Sequence, residues 1–186
     1  SRAKYSTDYP CSFMFVASMN PCPCGYYGDP THRCVCTPGQ IQRYMNKISG
    51  PLLDRIDIQC EISPVPFQDI SKAAPGEPSA KIRERVIKAR EVQAERFKDY
   101  KGIHCNAQMT ERMIHQFAEP DEQGIELLRM AMEKLSLSAR AYNRILKVAR
   151  TIADLAGSEQ IKPDHIAEAV GYRTLDRGDW AERGHL

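Results

Sequence analysis

At 186 residues, 42% of them hydrophobic, the chain can bury a core as one domain or as two small ones. Its net charge of +2 neither demands nor excludes a nucleic-acid partner. No apolar run approaches the roughly 20 residues a bilayer-crossing helix needs, so a soluble, cytoplasmic protein with no membrane partner is expected.

Residues 1–4 carry no capping or strand signal and run at once toward an apolar stretch, so the chain is expected to start partway through a larger fold. The run Phe13-Met-Phe-Val-Ala17 predicts a strand near 12–18 that ends at Asn20, and a cysteine-rich loop follows over 21–37. A helix near 39–49 and a second strand from Ile56 to Ile62 complete an α/β unit over 1–66. Pro64, Pro66, Pro75, Gly76 and Pro78 break every regular pattern, which makes 67–80 a linker.

From there the chain reads as all-α over 81–173. Ile82, Val86, Ala89, Gln93 and Phe97 mark a first helix. Thr110 can cap a short helix to Phe117, and Asp121 or Glu122 can start another that ends near Leu135. Ser138 caps a long helix to about Ala156, stopped by Gly157, and Pro163 suits the first turn of a last one. The polar tail 174–186, with Trp180, is expected to be flexible.

The densest chemistry lies in Cys22-Pro-Cys24-Gly25 and Cys34-Val-Cys36. Zinc needs four soft donors within about 4 Å of one another, at metal–sulfur distances of roughly 2.3 Å. Two close pairs joined by a turn supply them: Pro21 and Pro23 stiffen the first pair, and Gly25, Gly28 and Asp29-Pro30 let the chain double back. His32 is a possible substitute ligand. Free thiols or two disulfides are the alternative, but seven cysteines and no secretory segment favour a metal. Four protein ligands leave no open position, so the site reads as structural. Cys11, Cys60 and Cys105 stand singly, in core or loop positions.

The helix after Ser138 carries an apolar stripe of Tyr142, Ile145, Leu146, Ala149, Ile152 and Ala153, with Arg140, Arg144 and Lys147 in a row on another face. That row is either a solvated face or, beside the helix N-terminus, a place for phosphate. In Gly50-Pro-Leu-Leu-Asp-Arg-Ile-Asp57, Leu52 and Leu53 read as core, and Arg55 as an ion-pair partner of Asp54 or Asp57.

Taken together and in this order, Ser18-Met-Asn-Pro21, Pro51-Leu-Leu-Asp-Arg-Ile-Asp57 and Leu137-Ser-Ala-Arg-Ala-Tyr142 resemble the back half of an AAA+ ATPase of the magnesium chelatase-like group. The cysteine loop after Asn-Pro, with Asn46-Lys-Ile-Ser-Gly50, makes the chain similar in particular to the bacterial YifB/ComM competence-protein family, over nearly its whole length. The resemblance implies the C-terminal portion of an AAA+ nucleotide-binding core with a zinc-binding loop, followed by a helical lid. It also implies roles: Asn20 as sensor 1, orienting the attacking water; Arg55 as the arginine finger, reaching a neighbouring subunit's nucleotide; and Arg140 as sensor 2, contacting the γ-phosphate. Arg144, one turn on, is a further nucleotide-binding candidate. ATP, magnesium and DNA are the implied partners of the full-length protein, in a homo-oligomeric and expectedly hexameric ring.

No G-x-x-x-x-G-K-[ST] phosphate loop occurs in the sequence, nor an apolar strand ending in paired acids to hold magnesium. The 186 residues alone are therefore expected to be inactive as an ATPase, and the helicase or branch-migration activity the resemblance implies belongs to a longer chain. Two other classes stand beside it. One is a chelatase motor driving metal insertion into a porphyrin. The other is a non-enzymatic zinc module that binds nucleic acid through Arg43, Lys47 and the stretch 81–101, where eight cations alternate with four acids.

Overall fold

A computed structural model describes residues 6–9, 13–62, 65, 69, 75–135 and 137–173. The expectations for 1–4, for Cys11, for most of the linker 67–80 and for the tail 174–186 lie outside the described residues. The described residues form seven α-helices and one 3-10 turn: α1 (Pro38–Met45), α2 (Gly50–Leu53), α3 (Ser79–Arg96), the 3-10 turn (Asn106–Gln108), α4 (Glu111–Phe117), α5 (Glu122–Leu135), α6 (Ala139–Leu155) and α7 (Pro163–Gly171).

Local rules account for most of these boundaries. Thr37 Oγ1 accepts the Gln40 N–H while Gln40 Oε1 accepts the Thr37 N–H, a reciprocal box that starts α1 directly after Cys36. Ser138 Oγ accepts the Ala141 N–H and starts α6. Gly157, at φ 66°, takes the left-handed turn after α6 that a β-carbon would disfavour. Pro163 opens α7, where its missing N–H costs nothing, and His165 Nδ1 accepts the Lys162 N–H.

The α/β expectation for 1–66 is corrected: among the described residues there is no β-strand. Phe13, Met14, Phe15 and Val16 are between 61% and 87% exposed. A strand is held by ladder hydrogen bonds from neighbouring strands and by a layer packed on its face, and no described residue supplies either to this run. The second expected strand reduces to one parallel bridge between Gln59 and Arg173. Leu52, expected in the core, is exposed.

Two separate apolar clusters remain. The smaller joins Cys22 and Ile41 with Cys24, Tyr27, Cys34, Cys36 and Met45, so α1 lies on the cysteine loop. The larger is the core of the α3–α7 bundle, with Phe97, Met109, Ile114, Leu128, Ile161 and Ile166 around α6, which buries Ala141, Ile145, Leu146, Ala149 and Ala153. The apolar stripe expected on this helix is the one it buries. Phe97, Tyr100 and Phe117 meet edge to face at centroid distances of 5.8–6.4 Å. Only the second half of α3 takes part: Ala89 and Gln93 are buried, whereas Ile82 and Val86 are about 40% exposed.

A polar hub inside the bundle left no mark in the hydrophobic pattern. The Asp154 side chain, 0% exposed, accepts two bonds from Arg96 (2.6 and 2.7 Å), one from Arg150 Nε (3.1 Å) and one from Asn106 Nδ2 (2.8 Å). Arg150 also caps the end of the helix from within, donating to the carbonyls of Ser158 and Glu159. Burial pulls the Arg150 guanidinium below its ordinary range. Removing the shared carboxylate strands two cations, a loss of about 3–5 kcal/mol for buried pairs in general. Asp154→Ala is therefore expected to lower the bundle's melting temperature by more than about 10 °C, read by circular dichroism. A shift of only a degree or two would mean that the hub is slack.

Candidate metal centre and arginine cleft

The cysteine loop is shaped by two tight turns. Gly25 N–H donates to the Cys22 carbonyl (3.1 Å) and Asp29 N–H to that of Tyr26 (3.1 Å), with Gly25 and Gly28 at φ 85° and 81°. These turns carry Cys34 and Cys36 back onto Cys22 and Cys24. The sulfurs of Cys22 and Cys24 are 3.3 Å apart, those of Cys22 and Cys34 3.7 Å, and those of Cys24 and Cys34 3.5 Å. All four Sγ atoms lie within 4.8 Å of one another. Tetrahedral zinc thiolate requires separations of about 3.8 Å, so the donor set fits the ion.

The electrostatics point the same way. The Tyr26 N–H, and next the Val35 N–H, donate to Cys24 Sγ and hold its thiol down to about 6. Burial, together with the neighbouring thiols, pushes Cys34 up to about 12 and raises Cys36 as well. A metal cation bound among these sulfurs would favour the thiolate form that ligation needs. His32 does not join them. Its ring bonds Thr31 Oγ1 (2.8 Å) and Asp29 Oδ2 (3.3 Å) and stacks on Tyr26 at 4.9 Å between centroids. The Thr31 hydroxyl and amide, helped by His32, hold Asp29 down to about 2. Asn20 is exposed and faces this loop: its side-chain nitrogen is 3.9 Å from where a β-carbon on Gly25 would lie.

Arg55 and Arg140, far apart in sequence, line one cleft of about 250 Å³ together with Arg144, Lys147, Asn143 and Glu111. The cleft is made by docking residues 50–59 on the bundle. Ser138 Oγ, besides capping α6, donates to Asp54 Oδ2 (3.1 Å). Arg144 bonds Asp57. The buried Arg173 donates to the Ile56 carbonyl and lies 4.0 Å from Asp54 Oδ1, and Gln59 N–H donates to the Tyr172 carbonyl at 2.8 Å.

These contacts settle the alternative in which Arg55 pairs with Asp54 or Asp57. Both carboxylates are engaged by the bundle, and the Arg55 guanidinium bonds only the Pro51 carbonyl among the described residues. Arg140 is exposed and has no ion pair among the described residues. Lys147 donates to the Ala107 carbonyl (2.9 Å), and burial, then Arg144, lowers its affinity for its proton. The row Arg140, Arg144, Lys147 does face one cleft, but Arg144 shares its charge with Asp57. Asn20 and the four cysteines are not among the cleft's residues.

Several of the cations that the nucleic-acid alternative names have partners. Arg85 pairs with Glu77, Lys88 with Glu84 and Lys98 with Glu95, while Arg43 donates to the Gly39 carbonyl and Lys47 lies over the Tyr44 ring. Sequence reasoning missed Arg173, Asp54 and Asp57 as tethers. A lone arginine past the last helix gave no periodic or motif signal.

Residues 76–173 match the family described as "Magnesium chelatase, subunit ChlI C-terminal", and residues 1–70 match "Magnesium chelatase, subunit ChlI". The chain is similar to the competence protein ComM of Haemophilus influenzae and to YifB of Escherichia coli, each 43% identical over 95% of this chain and 34% of the relative. A protein of Mycobacterium bovis is 36% identical over 89% of this chain and 32% of its own length. The chain thus spans about a third of the length of the curated relatives it matches. No described helix is long and apolar enough to cross a membrane.

Proposed function

This chain belongs to the magnesium chelatase subunit ChlI family, and from that premise we propose that it works in a full-length, ATP-driven ring ATPase that remodels or translocates on DNA. Arg55 is the arginine finger and Arg140 is sensor 2. The observation that carries the reading is the shared cleft: two cations with no ion pair among the described residues line it, and Glu111 is the one acid among its lining residues. Clustered like charges repel, and an external polyanion relieves that repulsion. The N-terminus of α6, where Arg140 stands in the first turn, adds its partial positive charge.

The chemistry follows from the charge that develops on a phosphoryl group in transfer. Fixed cations aimed at its oxygens stabilise it without reorganising at the moment of reaction. Arg55 and Arg140 serve the nucleotide of a neighbouring subunit across the ring, and their common cleft supports that joint assignment. Asn20, on the other side of the cysteine loop, orients the attacking water at the chain's own nucleotide. ATP and magnesium are held by the phosphate loop and paired acids of the rest of the protein. The exposed run Phe13–Val16 supports such a core, because an apolar strand sequence left bare has a covering layer still to meet.

Cys22, Cys24, Cys34 and Cys36 hold a structural zinc ion, whose role is to pin the loop and α1. The designation of a relative as a competence protein supports a DNA substrate. The family's chelatase description favours a second reading, a motor for metal insertion into a porphyrin. DNA-stimulated ATPase of the full-length protein, wild type against Arg55→Ala and Arg140→Ala, tests the proposal. Both variants are expected to lose turnover. Unchanged rates in both would remove these roles, and stimulation by a porphyrin but not by DNA would favour the chelatase.

A further inference from the structure

We infer that Arg173 is a positioning residue for Arg55. Its guanidinium is 0% exposed and is directed at the Ile56 carbonyl, 117 residues away in sequence, and at the Asp54 carboxylate, the groups immediately on either side of the finger. The inference rests on the finger reading of Arg55.

A guanidinium taken wholly out of water is costly unless its charge and donors are met, so a buried arginine fixes whatever meets it. Among the groups that meet it here are two from the finger segment itself. The same end of α7 holds the segment through its backbone, with Gln59 N–H on the Tyr172 carbonyl and a parallel bridge from Gln59 to Arg173. Gln59 is buried and its side-chain amide reaches back to the Leu53 carbonyl (3.4 Å), closing the loop around Asp54, Arg55 and Ile56.

Two consequences follow for Arg55. Its backbone is fixed on the bundle that also carries Arg140, so the two cations keep one spacing. Asp54 is drawn toward Arg173 and Ser138, which keeps the carboxylate next in sequence from neutralising the finger. Without Arg173, Asp54 is released to pair with Arg55, and the finger loses both its placement and its free charge.

The test is a double-mutant cycle on DNA-stimulated ATP hydrolysis by the full-length protein, with kcat and KM read separately and thermal unfolding followed for each variant. Arg173→Met is expected to lower kcat about 10²-fold, the size of effect that an approximately 1 Å misplacement of a reacting group produces, with KM for ATP little changed. The double variant Arg55→Ala, Arg173→Met is expected to be no slower than Arg55→Ala alone, because a displaced finger and an absent finger are the same loss.

If Arg55→Ala lowers kcat but Arg173→Met does not, or if the two losses multiply, Arg173 is structural only and the inference falls while the finger stands. If Arg55→Ala leaves kcat unchanged, the finger reading fails and takes the inference with it. Should Arg173→Met fail to fold, Arg173→Lys decides. It keeps a charge but cannot span both the carbonyl and the carboxylate, so kcat must fall while the melting temperature holds, and an unchanged kcat overturns the inference.

Discussion

Replacing Arg55 by alanine in the full-length protein is expected to lower ATP turnover by about 10³-fold or more, the range over which arginine fingers act. At about 1.4 kcal/mol per tenfold, that is at least about 4 kcal/mol of transition-state stabilisation, more than a surface ion pair supplies. The size is reasonable because the guanidinium has no ion pair among the described residues: Asp54 is drawn to Ser138 and Arg173 and Asp57 bonds Arg144, so neither carboxylate has to be exchanged when phosphate arrives. Arg55→Lys is expected to recover only part of the rate, since an ammonium cannot offer two parallel donors to two phosphoryl oxygens. Steady-state kinetics at saturating ATP read the effect directly. A loss confined to KM would mean that Arg55 binds the ground state and does no more.

Stripping the metal is expected to unfold the cysteine loop and α1 while leaving the α3–α7 bundle standing. The loop and α1 bury only Cys22 and Ile41 fully, far too little apolar surface to fold a segment of this size unaided. In zinc-finger peptides the ion contributes about 10–16 kcal/mol of apparent binding energy, which is folding energy when the site forms only on binding. The bundle has its own core around α6, and no cysteine is among the described residues of that core.

The prediction therefore has two halves. Elemental analysis gives one zinc per chain, lost in Cys22→Ser and on strong chelation. Hydrogen exchange then shows the Ile41 and Asn46 amides, which bond the Thr37 and Gln42 carbonyls, losing protection, with the bundle's melting temperature unchanged. A metal-free loop that keeps its protection would show that the thiols pack without an ion.

Which parts of this molecule could be read in advance follows the range of the forces involved. The helices from α3 to α7 were legible because their determinants are local: Ser138 satisfies an N–H group three residues on, Gly157 takes a positive φ, Pro163 occupies a first turn, and the stripe from Tyr142 to Ala153 recurs with the helical period. The cysteine pairs were legible for the same reason, because a tetrahedral ion fixes donor spacing within a short loop. The run at Phe13–Val16 was misread as a formed strand, since strand formation is decided by partners elsewhere in a sheet.

The sequence by itself determined the helical order of residues 79–171, the four-thiol cluster, and the identity of the cations that reach for an anion. Only the tertiary structure decided which of those cations remain available. Asp154 gathers Arg96 and Arg150, Asp57 takes Arg144 from 87 residues away, and Asp54 is drawn to Ser138, 84 residues away, and to Arg173, further still. The physical reason is that an arginine's fate depends on the carboxylate and the depth of burial it meets, and neither is encoded within a helical turn of its own position.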